Sequence, residues 1–156
     1  MSGRLKEEIK QTKPFASLRA EAILNVQRTA DQFTRAISEA LKPADISPTQ
    51  YNVLRILRGA GKKGWTCSEI GERMVTRDPD ITRLLDRLVG RGLVERDRSN
   101  EDRRVVNVRI TKKGNKMLSD IEPMLKHLDE RLVGRLSEER LKLLIELLEE
   151  VRAGQT

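Results

Sequence analysis

Residues 66–74 read Thr-Cys-Ser-Glu-Ile-Gly-Glu-Arg-Met. Residues 78–96 read Asp-Pro-Asp-Ile-Thr-Arg-Leu-Leu-Asp-Arg-Leu-Val-Gly-Arg-Gly-Leu-Val-Glu-Arg, and residues 97–111 continue Asp-Arg-Ser-Asn-Glu-Asp-Arg-Arg-Val-Val-Asn-Val-Arg-Ile-Thr. The pattern predicts a short helix, a longer helix, a strand, a charged loop and a second strand. Thr66 and Glu69 have the spacing of a capping box, which starts the short helix. Asp78 is placed to cap the longer helix, with Pro79 at its first position, where a missing N–H has no intrahelical partner. Gly90 or Gly92 supplies the left-handed residue that ends it. Leu93 and Val94 open the first strand. In the second, Val106, Val108 and Ile110 alternate with Asn107 and Arg109, the period of a half-buried strand. The loop between them is too polar to pack and should project as a wing.

The longer helix has two unlike faces. Ile81, Leu84, Leu85 and Leu88 recur at three- and four-residue spacing and should face a core. Asp80, Arg83 and Arg87 recur likewise on another face, turned to solvent or a partner. An arginine stripe beside a hairpin with an arginine-rich tip points to a winged helix-turn-helix presented to DNA. Arg83 and Arg87 are suited to guanine edges or phosphates. The competing reading is a solvated helix face on which Asp80 and Asp86 pair with those arginines. Thr76, Arg77 and Thr82 lie near the helix start, where backbone N–H groups favour a phosphate. Arg98 and Lys112 are further candidate phosphate contacts. Arg103 and Arg104, at a narrow hairpin tip, suit a groove too tight for a helix.

The run from the capping box through T-R-L-L-D-R-L, G-L-V-E-R, D-R-R and R-I-T-K-K-G resembles the multiple-antibiotic-resistance regulator (MarR) family of transcription factors. The signature spans about a third of the chain, and the flanking helices fit the same architecture. The resemblance implies a symmetric dimer with two winged DNA-binding lobes, often tuned by a small molecule or an oxidant. It implies that the arginine of a D-x-R wing motif enters the minor groove, oriented by its aspartate; here these are Arg104 and Asp102. It also implies an effector pocket where the DNA-binding lobe meets the dimerisation helices, with Phe33, Ile37, Tyr51 and Met117 as candidate lining residues.

Composition agrees with a polyanion partner. The chain has 156 residues, which suits one domain, and a formal net charge of +7. Residues 1–61 carry +4, residues 62–113 carry +5 and residues 114–156 carry −2, so positive charge favours the predicted DNA-binding part. The aromatic residues Phe15, Phe33, Tyr51 and Trp65 are scattered and form no stacking platform for single strands. No segment reads as a membrane span or secretory signal. The single cysteine excludes an intrachain disulfide framework and fits a reducing cytoplasm.

Outside the central stretch the chain reads as helices. Residues 1–13 are polar and loosely helical or frayed. Over residues 14–42, Ile23, Val26, Ala30, Phe33, Ile37 and Ala40 form a seam for another helix. Ser47-Pro48 opens a helix with Val53, Leu54 and Leu57 inward, and Gly59, Gly61 and Gly64 form the turn after it. Trp65 is placed either as a brief strand beside the wing or as filling between helices. Thr111 caps a long helix with Leu118, Ile121, Leu125, Leu128 and Leu132 inward, which Pro123 should kink. Ser137 caps a last helix whose apolar face, around Leu141, Leu144, Leu148 and Val151, is too wide for one side of a small monomer.

The expected fold is therefore α+β, mainly α: a single domain over residues 1–156. Residues 47–110 form a winged helix-turn-helix lobe, and residues 14–42 and 111–153 form dimerisation helices. The expected function is that of a dimeric regulator of transcription, acting on a pseudo-palindromic double-stranded operator. Repression is favoured, because a compact DNA-binding dimer acts by occupying a promoter, with relief by a small-molecule effector. The alternative is a winged-helix protein-interaction module, which would not need arginines on both helix and wing. No cofactor, metal site or catalytic constellation is read: His127 has no second histidine or cysteine cluster beside it. Cys67, at the first turn of a short helix, is read as a small, partly buried residue rather than an oxidant sensor.

Overall fold

The computed structural model describes residues 4–77, 80–98 and 105–154. Its elements are α1 (Leu5–Glu8), α2 (Leu18–Leu41), a 3₁₀ turn (Lys42–Ala44), α3 (Pro48–Ala60), β1 (Trp65–Thr66), α4 (Cys67–Arg73), α5 (Ile81–Gly90), β2 (Val94–Arg98), β3 (Val106–Ile110), α6 (Lys112–Val133) and α7 (Glu138–Ala153). Helices dominate, and the strands form one antiparallel sheet in the order β1-β3-β2. None of the described helices is long and apolar enough to cross a membrane.

Short polar signals set most helix starts. Ser47 and Gln50 form a reciprocal capping box with Pro48 in the first turn of α3, and Thr66 and Glu69 form another at α4. Thr111 accepts from Gly114 N at 3.1 Å and Ser137 from Arg140 N at 3.4 Å, as their positions predict. Two starts differ from expectation. The helix expected from residue 14 begins at Leu18, because Ser17 caps it by accepting from Ala20 N. Before it, Leu5 is buried within the short α1, and Glu8 lies 3.9 Å from Arg28 of α2. The polar amino-terminal segment is thus tied to α2 rather than simply frayed. At α5 the cap is Asp80, not Asp78: its carboxylate accepts from Arg83 N at 3.2 Å, and helix begins at Ile81. Asp78 and Pro79 lie outside the described residues.

The core joins α3, α4, α5, the sheet and one face of α6. Val53, Leu54, Leu57, Ile70, Leu85, Leu88, Leu93, Val108 and Leu118 are all essentially inaccessible. Along the α6 seam Ile121, Leu125 and Leu128 are buried as well, and the helix continues through Pro123 to Val133. Two helices stand largely outside this core. α2 contributes Leu41 alone as a buried residue, with Ala36, Ile37 and Ala40 packed on the margin. α7 has no buried residue. Leu18, Ile23 and Val26 of α2, and Leu143, Ile145, Leu147 and Val151 of α7, are about half exposed or more. The seam expected along all of α2 therefore packs within this chain only at its carboxyl end.

The sheet forms the base of a hairpin. Val94 pairs with Ile110, Arg96 with Val108 and Arg98 with Val106, while Trp65 pairs with Val108 and Thr66 with Asn107. Trp65 is thus the brief strand beside the wing, and the Arg73 guanidinium stacks 3.9 Å from its ring centroid. The alternation expected in β3 is only partial. Val108 is buried under the helices, but Val106, nearer the tip, is 40% exposed.

Candidate nucleic-acid interface

The helix-turn-helix unit is built from α4 and α5. Apolar contact holds α5 in place: Leu84, Leu85 and Leu88 are buried, and Ile81 packs at the edge of the core. The turn before it is pinned from α3, where Asn52 Oδ1 accepts from Val75 N at 3.0 Å. Thr76 and Arg77 follow that turn and are exposed. Sequence spacing gives no sign of Asn52, which acts across 23 residues.

Asp80, Thr82, Arg83 and Arg87 all lie exposed on the face of α5 opposite the core. Asp80 does two things there. It caps the helix, and its carboxylate lies 3.3 Å from Arg83 Nε. Arg83 is therefore held near the amino-terminal end of α5 while its side chain stays 72% exposed. A loosely paired, solvent-facing guanidinium can exchange that partner for a base edge or phosphate at little cost. The Thr82 hydroxyl lies 3.9 Å from Cys67 Sγ, which sets the amino-terminal turns of α4 and α5 side by side.

The proposed salt-bridged helix face holds only at Asp80. Asp86 instead reaches Arg96 of β2 at 2.6 Å. This ion pair ties α5 to the hairpin and leaves Arg87 without its predicted aspartate partner. A second tie lies at the hairpin base. Arg109 of β3 pairs with Asp97 of β2 and donates to the Lys62 carbonyl at 3.2 Å. Its Nε has Glu95 at 3.9 Å, beyond hydrogen-bond range, and is buried without a hydrogen-bond acceptor. Gly64, with φ +71°, allows this crossing: a Cβ there would lie 2.7 Å from Arg109 Cγ and against the Val108 carbonyl. Sequence reasoning took Arg109 only as the polar member of an alternating strand.

Arg98 ends β2, paired in register with Val106. Asp102, Arg103 and Arg104 lie outside the described residues. Lys112 is exposed in the first turn of α6. Thus Thr76, Arg77, Asp80, Thr82, Arg83, Arg87 and Lys112 are all on the surface, with the hairpin beside α5.

The four residues expected to line an effector pocket do not share one cavity. Met117 lines a cavity of about 420 Å³ between the end of α2 and the start of α6, with Ala40, Ala44, Lys113, Lys116 and Met124. Tyr51 lines a different one, of about 500 Å³, between α3 and α6, with Arg55, Arg58, Glu122 and Lys126. Phe33 and Ile37 line neither; Ile37 packs on the core. In the second cavity the Arg58–Glu122 ion pair holds the carboxyl below its ordinary range and raises the guanidinium. Among the described residues no group of histidine, cysteine and acidic side chains has the arrangement of a metal site.

A family model described as "MarR family" matches residues 46–106. The transcriptional regulator HosA of Escherichia coli O157:H7 is 30% identical over 132 residues, spanning 85% of this chain and 95% of HosA. A MarR transcription factor from Planctomyces limnophilus has a similar crystal structure, with 42% identity and a TM-score of 0.67 over 87% of this chain and 98% of that one. A cysteine-to-serine variant of MarR from E. coli, crystallised with operator DNA, is 28% identical with a TM-score of 0.76, covering 87% of this chain and 99% of that one.

Proposed function

The chain belongs to the MarR family, and from that premise we propose that it is a sequence-specific regulator that binds a pseudo-palindromic double-stranded operator as a homodimer. The observation that carries this reading is the exposed face of α5. It bears Thr82, Arg83 and Arg87, with Asp80 at its cap, and it is tied through Asp86–Arg96 to the arginine-bearing hairpin. A helix so placed enters a major groove while the hairpin follows the backbone to the neighbouring minor groove.

In this reading Arg83 and Arg87 contact base edges or adjacent phosphates. Thr76, Arg77, Thr82, Arg98 and Lys112 contact phosphates and set the register. Asp80 holds Arg83 until DNA replaces it. Arg103 and Arg104 enter the minor groove, and Asp102 orients Arg104. The excess of positive charge over residues 62–113 steers the approach. The regulator acts in the cytoplasm by occupying a promoter, which makes it a repressor, and it performs no catalysis. Its effector is a small molecule that enters a cavity between the lobe and the long helices; the Met117 cavity is the more apolar candidate. Supporting the reading, the cysteine-to-serine variant of E. coli MarR was crystallised with operator DNA on a similar fold.

The test is capture of sheared genomic DNA by the purified protein, followed by footprinting of the enriched sequence. The expected result is protection of two half-sites related by a dyad, about one helical turn or a multiple of it apart. Retention of random and genomic fragments to the same extent would overturn sequence-specific binding.

A further inference from the structure

Arg91 caps the carboxyl end of α5, at the opposite end from Asp80 and Arg83. Its guanidinium reaches out of the DNA-binding lobe. Nη1 donates to the Asp45 carbonyl and Nη2 to the Ala44 carbonyl at 3.1 Å, with the Asp45 carboxylate 3.9 Å from Nη2. Ala44 and Asp45 end the 3₁₀ turn that leaves α2, and Asp45 takes the left-handed conformation, φ 53°, that stops it. The Arg91 carbonyl in turn accepts from Lys113 Nζ of α6 at 2.7 Å. Next to it, Thr111 Oγ1 donates to the Gly92 carbonyl at 2.7 Å. One end of α5 is thus fastened to the carboxyl end of α2 and to the amino end of α6, the two helices proposed to carry the dimer.

These contacts differ in kind from the others that hold α5. Leu84, Leu85 and Leu88 bury area, which resists removal of the helix but is not directional. Asp86–Arg96 fixes α5 against the hairpin of its own lobe. Only the Arg91 fork, among the described ion pairs and hydrogen bonds of α5, sets its direction against α2. A ten-residue helix is about 15 Å long, so a tilt of about 10° at one end moves the other by about 2–3 Å. Such a displacement removes a base-edge hydrogen bond altogether.

We propose that Arg91 is a positioning residue that fixes the separation of the two recognition helices in the dimer, and so the half-site spacing the protein accepts. The planar guanidinium holds two successive carbonyls at once, and a lysine ammonium on a flexible stem does not reproduce that fork. The inference rests on the reading of the protein as a dimer on two half-sites.

The experiment uses the footprinted operator, a set of duplexes with its half-sites moved by one or two base pairs, and a duplex with a single half-site. Wild-type protein should show a sharp spacing optimum. Arg91→Ala should lose about tenfold or more at that optimum, keep wild-type affinity for the single half-site and discriminate less among spacings, because the second contact is no longer held in register. Arg91→Lys should fall between the two, and it carries the test if the alanine variant does not fold. An unchanged spacing optimum in both variants would overturn the proposal. So would equal losses on one and two half-sites, which is the signature of general destabilisation. If wild-type protein itself gains nothing from a second half-site, the dimer-on-operator reading fails first, whatever Arg91 does.

Discussion

Arg83 and Asp80 are best considered together, because one carboxylate serves both the helix and the guanidinium. Removing Arg83 takes away a proposed DNA contact and leaves the cap intact. Arg83→Ala should therefore weaken specific binding by about 1–3 kcal/mol and relax preference at one base position, with little change in unfolding midpoint. Asp80→Ala should instead lower stability by about 0.5–2 kcal/mol, as loss of an N-cap does, and Asp80→Asn should restore most of it. Binding titrations on single-base operator variants, set beside chemical denaturation of the same proteins, separate the two roles. Arg104→Ala should weaken binding and make it less sensitive to A·T content beside the half-sites, and Asp102→Ala should share part of that defect. Full affinity in both wing variants at every flank composition would remove the wing from the mechanism. The arginine stripe was legible because helical period sorts exposed from buried positions. The task of Asp80 was not: the Asp-Pro pair placed the cap at Asp78, and Asp80 was read only as a member of the exposed face, whereas helix starts at Ile81 with Asp80 as its cap.

The caps of α3, α4 and α6 and the buried apolar faces of α3 and α6 were legible because their causes lie within four residues of one another. Contacts between elements were not. Asn52 with Val75, Asp86 with Arg96 and Arg109 with Asp97 and Lys62 join residues 10 to 47 apart, and no period reports them. The same distinction predicts how two glycines respond to substitution. Gly90 has open space where a Cβ would be and lies in a helix. Gly90→Ala should stabilise by about 0.4–1 kcal/mol by restricting the unfolded chain. Gly114 is buried in the first turn of α6, and a Cβ there would press on the Leu93 carbonyl and lie 2.7 Å from Ile110 Cγ1. That carbonyl is already engaged by Thr111 N at 3.0 Å, so it cannot give way freely. Gly114→Ala should destabilise by about 1–3 kcal/mol despite alanine's better helix propensity. Denaturation midpoints of the pair, moving in opposite directions, check both. Acid should act on the same level. Thr66 holds the Glu69 carboxyl below its ordinary range through backbone and side-chain hydrogen bonds, and Arg58 does so for Glu122. A depressed folded value stabilises the fold fully above the ordinary glutamate value of about 4.3 and is lost as pH falls through the lower folded value. Glu69→Gln with Glu122→Gln should therefore flatten the acid side of the stability profile, read from urea midpoints between pH 7 and pH 3.

What covers the exposed apolar faces of α2 and α7 is the question these helices raise. Sequence left the α2 seam open between a helix of the same subunit and one of a partner, because one chain's pattern does not distinguish the two, and assigned the α7 face to a second subunit because it is too wide for a small monomer. Here the core takes little from them: α7 buries no residue, and α2 buries Leu41 alone, with Ala36, Ile37 and Ala40 at the margin. Leu144 is 38% exposed, and Leu143, Ile145, Leu147 and Val151 are more than half exposed. Apolar residues lie on successive sides of α7, so no rotation of this helix could hide them all against one surface of the same chain. A contiguous apolar surface of this kind marks an interaction site, and a second copy is the occupant that the proposed two-half-site operator requires. Leu144→Glu with Leu148→Glu should place charges in that interface without touching the core, giving monomers or insoluble protein, since a buried unpaired carboxylate is costly. Affinity for the full operator should drop toward that for one half-site, because the second lobe is then no longer delivered at high effective concentration. Sedimentation of the wild type and the double variant, each followed by titration with one-site and two-site duplexes, measures both effects. A well-folded wild-type monomer at micromolar concentration that still binds the two-site duplex tightly would show that these helices serve some other purpose.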